Sequence, residues 1–412
     1  MEVVYERCAG LDVHKKTVTA CRIIPHQTEG WQREIRTFKT MTADLLGLAD
    51  WLANADITHV AMESTGVYWK PIFNILESQF QVLLTNAQHV KYVPGHKTDV
   101  KDAQWLAELL QHGLLKASFI PSAPQRALRD LVRYRTQLIQ ERSREINRLQ
   151  KVLEDSNLKI GSVVSDVLGA SSRDMLTAII GGQQDPSLLA QFARGRMRSK
   201  IAELQAALSG RVQDHHRLLL RIHLERIDEL ASKIETLSQE IAMLTPDFDT
   251  KDEIERLDEI PGVGLQVAEG ILAELGTDMT RFPSANHAVS WAGLAPGKNE
   301  SAGRNRSSRT TKGNKHLKSL LVQAAHTLAR SKDNYLGALF RRIASKRGKK
   351  RAAVAVARSI LVIVYHLLKR GSRYIELGSD YFDRLNQQRT TQRLIKRLEQ
   401  LGHQVILQPI SA

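Results

Sequence analysis

The chain has 412 residues, 42% hydrophobic and 25% charged, and carries a net charge of +15. That length calls for more than one core, and that balance excludes a disordered chain while pointing to a polyanionic partner. Two cysteines, Cys8 and Cys21, exclude a disulfide scaffold and a cysteine-based metal site.

The opening MEVVYERCAG lacks the long apolar stretch of a signal peptide, which predicts a cytoplasmic, nucleoid-associated protein. Residues 1–120 then alternate strand-like and helix-like patterns. RCAGLDV and TVTACRII read as strands joined by HKK, and REIRTFKT as a third. ADLLGLADWLANA is helical, THVAMEST a strand, YWKPIFNILES a helix and QVLLTN a strand. DVKDAQWLAELLQHG closes as a helix ended by Gly113. Hairpin strands followed by strand–helix alternation predict an α/β domain with a mixed sheet. Cys8 and Cys21 fall in or near two neighbouring strands, as reduced, small apolar residues.

Four acids stand out in this region. Asp12 ends the first apolar strand and Glu63 ends another. If those strands are parallel neighbours, both carboxylates emerge at the carboxyl edge of the sheet, where α/β folds place ligands. Asp99 and Asp102 are three residues apart and share a helix face. Two readings stand for that pair. They cap and complement a helix N-terminus, or they join Asp12 and Glu63 as oxygen ligands of a hard divalent cation. Taken singly, Asp12 suits a turn before HKK and Glu63 a helix partner. His14 is either an auxiliary to such a site or a surface residue.

Residues 121–248 form a helical region of another kind. Leu128, Val132, Ile139, Ile146, Leu149 and Leu153 recur on a 4-3 spacing that Arg135 and Arg142 interrupt. A second seam runs Leu220, Ile227, Leu230, Ile234, Leu237, Ile241, Leu244 and is broken by His223. Isoleucine at one heptad position and leucine at the other suit a two-stranded coiled coil. The seams either pair within one chain as an antiparallel hairpin or join copies of the chain, and the two can coexist. TPDFD (245–249) marks a boundary. Residues 158–212 carry helical patterns with no role beyond connection.

Residues 249–412 are helical and basic. Between residues 304 and 351, fifteen Lys and Arg face a single acid, Asp333, a local charge of +14. The rest of the chain is therefore nearly neutral, and such a block suits a phosphate backbone. EIPGVGLQVAEGILAELG (259–276) has the form of a helix-hairpin-helix. Gly262 and Gly264 permit a tight turn that aims backbone N–H groups at phosphate, or they punctuate an ordinary helical corner. GKNESAGRNRSSR (297–309) sets Ser301 in a Gly-flanked flexible loop beside Arg304, Arg306 and Arg309, with Lys312 and Lys315 following. Guanidinium groups bind phosphate bidentately and can stabilise a pentacoordinate phosphorus. On chemistry alone Ser301, Ser307 and Ser308 are each a turn residue or a nucleophile. The run AAVAVARSILVIVYHLL (352–368) is shorter than a comfortable span and contains Arg358, which predicts a buried or DNA-facing helix and no membrane partner.

GLDVHK, the glutamate of AMEST and KTDVKDA together resemble the DEDD transposases of bacterial insertion sequences, a family that includes the Piv-type DNA invertases. LAPGKNESAGRNRSSRTTKGNKHLKSLL is similar to that family's C-terminal transposase domain, so the resemblance covers nearly the whole chain. It implies an RNase H/RuvC-like N-terminal domain, a coiled-coil middle and a helical transposase domain. It implies that Asp12, Glu63, Asp99 and Asp102 hold Mg2+, as one ion or two, and that Ser301 is the nucleophile. Glu300 and Ala302 depart from residues common around that serine in the family. The implied reaction links DNA to Ser301 through phosphate, conserving bond energy so that strands can be exchanged. The implied partners are double-stranded donor and target DNA, a bridge RNA from the element's non-coding end, and further copies of the chain as dimer or tetramer, with acids and serine acting across protomers. Apart from the resemblance, a metal-dependent junction-resolving nuclease and a non-catalytic nucleic-acid-binding assembly protein stay open.

Overall fold

Alternating apolar residues near the N-terminus make the strands of a five-stranded sheet. The computed structural model describes residues 2–26, 30–64, 66–85, 99–244, 251–297, 300–301, 304–305, 309–385 and 387–406. They fall into two units, Met1–Pro121 and Ser122–Ala412. In the first, β1 (Cys8–Val13), β2 (Thr17–Pro25) and β3 (Trp31–Lys39) form an antiparallel meander. After α1 (Thr42–Ala53), β4 (His59–Glu63) pairs parallel to β1; after α2 (Trp69–Leu76), β5 (Gln81–Thr85) pairs parallel to β4. The order is β3-β2-β1-β4-β5.

The period-two alternation of side chains sorts the two faces. Ala9, Leu11, Val13, Val60 and Met62 pack under the apolar sides of α1 and α2. Cys8, Cys21, Ile23 and Ala61 face the other way, against Ala103, Ala107 and Leu110 of α3 (Asp99–Gln111). Both cysteines are free and buried. Burial, with the Cys21 thiol nearby, pushes Cys8 up to about 12; burial, then the Glu108 charge, pushes Cys21 up to about 11. Neither is a reactive thiolate. The approach of α3 depends on Gly10, where a Cβ would lie 2.3 Å from the Ala103 carbonyl oxygen and 2.4 Å from the Ala107 nitrogen.

The second unit begins with α4 (Ala123–Asp155). A cap of short helices follows: α5 (Ile160–Val163), α6 (Ala170–Ile180), α7 (Pro186–Ala190) and α8 (Ile201–Leu208). The chain returns along α9 (Asp214–Leu244). Residues 158–212, which the pattern left without a role, bury Leu158, Met175, Leu176 and Leu204 against Leu149, Leu153, Leu220 and Ile227, closing one end of the hairpin. At the other end Ile241 meets Leu128 and Val132, so α4 and α9 run antiparallel within one chain. Leu138 is buried where the seam predicts Ile139, which is only half-buried. The break at His223 has a partner: its Nδ1 lies 2.6 Å from Glu145 Oε1 on α4. The expected break at 245–249 lies outside the described residues.

The basic region adds α10 (Lys251–Asp258), α11 (Leu265–Leu275), α12 (Ala285–Trp291), α13 (Lys315–Thr327), α14 (Tyr335–Arg347), α15 (Lys349–Arg370), α16 (Tyr381–Leu385) and α17 (Gln387–Gln400). Helix α15 is longer than the apolar run within it. By length and composition alone its 22 residues could cross a membrane, with a mean hydropathy of 1.7 in the most apolar window. Half of that window is buried inside the unit, as in a core helix, among Leu317, Leu321, Leu336 and Phe340.

Buried charge ties α4 to α11. Gln125 Nε2 donates to the Ala273 carbonyl (3.2 Å) and Arg129 to those of Ala273 (3.1 Å) and Glu274 (2.7 Å), satisfying carbonyls at the end of α11. Arg133 grips the Glu274 carboxylate with Nε and Nη2, at 2.6 and 2.8 Å. Arg135, which interrupts the seam, is itself buried and donates to Glu269 Oε2 at 2.5 Å. Burial alone would raise the Glu274 carboxyl. Hydrogen bonds from Arg133 and Asn314, with the charges of Arg133 and Arg129, overcome that and hold it below the ordinary 4.5.

Two outcomes follow from this packing. Removing one partner of a buried ion pair strands the other, so Arg135→Leu should cost about 3–5 kcal/mol in urea unfolding, and adding Glu269→Leu should recover most of it; a double variant as unstable as the single one would show that the pair is not the cause. Because the folded pKa of Glu274 is depressed, its stabilisation is full above pH 4.5 and is lost as pH falls through the folded value. The stability gap between wild type and Glu274→Gln should therefore be widest above pH 4.5 and close below it; a gap independent of pH would contradict this.

Candidate functional site

Asp12 is the fifth residue of β1 and Glu63 the last of β4. These strands are parallel and Leu11 stands opposite Met62, so one further step sets Asp12 beside Glu63. Alternation turns both acids to the face that carries Cys8 and Ala61, the one covered by α3. Along β1, Cys8 Sγ lies 3.6 Å from the Ala107 carbonyl oxygen and Gly10 meets Ala103 and Ala107. Strand and helix therefore run in opposite directions, and continuing from Gly10 to Asp12 leads to the first turn of α3, which Asp99 opens and Asp102 continues. Residues 97 and 98 lie outside the described residues.

Asp12, Glu63 and Asp102 are each half-buried. Asp12 Oδ2 lies 3.0 Å from His14 Nε2, so the histidine after the strand does touch the acid. An all-carboxylate donor set with partial exposure suits a hard divalent cation. Among the described residues, however, the cluster whose ligand atoms all lie within 4.8 Å of one another is a different one: Asp155, His215 and His216. There His216 Nδ1 accepts the Gln213 N–H (3.1 Å) while Nε2 lies 3.0 Å from Asp155 Oδ2. Both ring nitrogens are occupied in joining the start of α9 to the end of α4, which accounts for the cluster structurally. Sequence reading had no signal for a contact spanning 61 residues.

Ser301 does not lie in an open loop. β6 (Glu300–Ser301) and β7 (Arg304–Asn305) pair antiparallel, and Ser301 is the register partner of Arg304. Below them Gly297 N–H donates to the Arg309 carbonyl (2.8 Å), Pro296 bridges Thr310, and Thr311 N–H donates to Ala295 (3.0 Å). Arg306, Ser307 and Ser308 lie outside the described residues. Lys312 and Lys315 are exposed. Asn314 caps α13 through Oδ1, which accepts from the His316 and Leu317 N–H groups. Its Nδ2 donates to Glu274 Oε2 at 2.6 Å, so the buried hub of α11 also holds the root of this ribbon. The sequence reading passed over Glu274, which looks like any acid near a helix end.

At the PGVG turn Gly262 has φ +83, and a Cβ there would lie 2.9 Å from both the Ala324 carbonyl oxygen and Leu328 Cγ. That glycine is required by the turn and by its packing on α13 and the residues after it. Gly264, at the N-cap of α11, is exposed with nothing near its missing side chain. Of the two, Gly264 has the open backbone that a phosphate could approach.

Comparison with known proteins gives the chain's family. A transposase family model, the DEDD type of IS110 elements, matches residues 9–157, which include Asp12, Glu63, Asp99 and Asp102. A DEDD family of this kind points to use of a divalent metal. A second model, described as transposase IS116/IS110/IS902 family, matches residues 254–341, which include Ser301 and the basic run after it. The transposase for insertion sequence element IS1111A of Coxiella burnetii is 24% identical over 375 residues, 89% of this chain and 90% of its own. A probable family 20 transposase of Pseudomonas aeruginosa is 24% identical over 89% of this chain and 97% of its own. The pilin gene-inverting protein of Moraxella bovis is 24% identical over 88% of this chain and 95% of its own. With two family models spread across both units and relatives aligned over most of its length, the chain is a DNA transposase, a recombinase-type enzyme, of the IS110/IS116 family.

Proposed function

We propose that the first unit is a RuvC-like domain whose Asp12, Glu63, Asp99 and Asp102 hold Mg2+, and that Ser301 is the nucleophile that breaks DNA. The observation that carries this reading is the adjacency of Asp12 and Glu63 on parallel strands, on the face covered by the helix that Asp99 and Asp102 begin. The strand order, with an antiparallel meander followed by two parallel strands, supports the RuvC-like assignment. When bound, Mg2+ would offset the negative charge of the scissile phosphate.

The chain's own residues do the rest. His14 holds one oxygen of Asp12 and so orients that carboxylate. Ser301 Oγ attacks phosphorus; a new Oγ–P bond forms, the ester bond to the departing strand breaks, and that strand's oxygen takes up the proton lost by the serine. The guanidinium of Arg304, one position across the ribbon, suits the charge that develops on the phosphate oxygens. A strand hydroxyl from another duplex then reverses the step, releases Ser301 and joins the new partner. No external energy source is needed, because the phosphoserine keeps the energy of the original ester.

Lys312, Lys315 and Gly264 would grip duplex backbone without reading its sequence. Sequence choice then comes from elsewhere, and a bridge RNA pairing with donor and target DNA fills that need. A homo-oligomer is supported by apolar residues left exposed on α9 and α17, among them Leu218, Ile222, Leu394 and Leu398. DNA as substrate sets the enzyme at the chromosome, in the cytoplasm.

Ser301→Ala should abolish a covalent protein–DNA adduct, seen as a detergent-resistant shifted band on a denaturing gel, while salt-sensitive DNA binding persists. An adduct formed by the alanine variant would remove Ser301 from this role. Loss of a supporting residue around a metal ligand costs about 10–100-fold, so Asp12→Asn should lower Mg2+-dependent recombination by at least about a hundredfold and His14→Ala by about tenfold. Unchanged recombination by Asp12→Asn would mean that the acids are structural.

A further inference from the structure

The second unit holds a cavity of about 550 Å3 that the chemistry above does not use. It follows the side of α15 that the core leaves uncovered. Val362 and Ile363 give it apolar surface, Tyr335 and Tyr374 give it aromatic surface, and Arg358 and Arg370 stand exposed beside it. The two rings share one anchor. Tyr374 O–H donates to Glu376 Oε2 at 3.0 Å, and the Tyr335 backbone N–H donates to Glu376 Oε1 at 2.7 Å. Tyr335 is further braced by Phe382, stacked at 5.3 Å, and Tyr381, edge-on at 5.1 Å. Burial and the Glu376 carboxylate push the Tyr374 hydroxyl well above its ordinary value, so it stays neutral.

The charge around the cavity is unevenly matched. Arg373, which also lines it, pairs with Glu259 at 3.3 Å. Among the described residues neither Arg358 nor Arg370 has a carboxylate partner; Arg358 Nη2 reaches only the neutral Asn286 Oδ1, at 3.2 Å. They stand twelve residues apart on one helix, about 18 Å along its axis. Apolar and aromatic surface between two uncompensated guanidinium groups is the combination that receives unpaired nucleotides, bases on the rings and phosphates on the cations. Duplex DNA keeps its bases inside and has no use for an apolar slot. An apolar peptide would leave both arginines without counter-charge.

We propose that this slot holds a short run of single-stranded DNA, with bases against Tyr335 and Tyr374 and phosphates on Arg358 and Arg370. The inference rests on DNA being the substrate and is independent of which residue attacks it.

The test uses the full-length protein and a fluorescein-labelled, mixed-sequence oligodeoxynucleotide of about 12 residues, with anisotropy read at fixed salt. The double variant Arg358→Ala/Arg370→Ala, and separately Tyr374→Leu, should each bind it about tenfold more weakly, while binding of a duplex of the same sequence changes by less than about twofold. Tyr374→Phe keeps the ring and should keep the affinity. A 2-aminopurine in the oligonucleotide should be quenched by wild type and not by Tyr374→Leu. Unchanged single-strand affinity in both variants would overturn the proposal, as would an equal loss on duplex DNA. Tighter binding of RNA of the same sequence through the same residues would overturn the assignment to DNA.

Discussion

At Gly10 the backbone of β1 and the body of α3 touch directly, with room for a hydrogen and not for a carbon. That contact sets the height of α3 above the sheet. Because helix and strand run in opposite directions, it also sets which end of the helix lies over the carboxyl edge. Had the contact fallen one turn along α3, the helix would be displaced by about 5.4 Å over the sheet. The neighbours on that face, Cys8, Ala61, Ala103 and Ala107, are small for the same reason. The placement of α3 on the sheet thus depends on packing among small residues.

The second unit meets a different constraint, since its longest helices carry polar residues within their apolar seams. Two of the three interruptions are answered across the fold, Arg135 by Glu269 and His223 by Glu145. Arg133 with Arg129 meets Glu274 beside them, while the buried Nε of Arg142 has no hydrogen-bond partner among the described residues. Buried pairs of this kind add little net stability over well-packed apolar residues, but they penalise any arrangement that leaves one member alone. Leucine and isoleucine seams tolerate a shift of one heptad; a seam with one buried charge does not. The polar residues therefore specify how α4 meets α9 and α11, while the apolar ones supply the driving force. Glu274 extends the specification to the ribbon that bears Ser301, through Asn314 at the cap of α13.

What the sequence disclosed follows the range of the interactions involved. The five strands and the flanking helices were legible because alternation and helical periodicity are local, and so was the position of Asp12 and Glu63 at strand ends. The packing of α3 on the sheet was not, because it depends on a glycine some ninety residues earlier. Arg135 and His223 looked like defects in a coiled coil since their partners lie 134 and 78 residues away. Ile139 looked like a seam residue, yet Leu138 is the one buried. Ser301 looked like a loop residue among Gly, Ser and Asn, whose weak strand preference conceals the pairing of β6 with β7. The apolar run of α15 looked too short to span a membrane because its helix continues into Lys and Arg at both ends.

The contact between His223 and Glu145 has a mechanical consequence. Two helices of 33 and 31 residues, closed at one end by a knot of short helices and unable to slip past each other, make a strut of constant length, about 45–50 Å. DNA completes a turn in about 34–36 Å. Whatever grips the far end of such a strut is held at a set remove, more than one turn of duplex, from the basic helices at its near end. The hairpin thus has a fixed span longer than one turn of duplex.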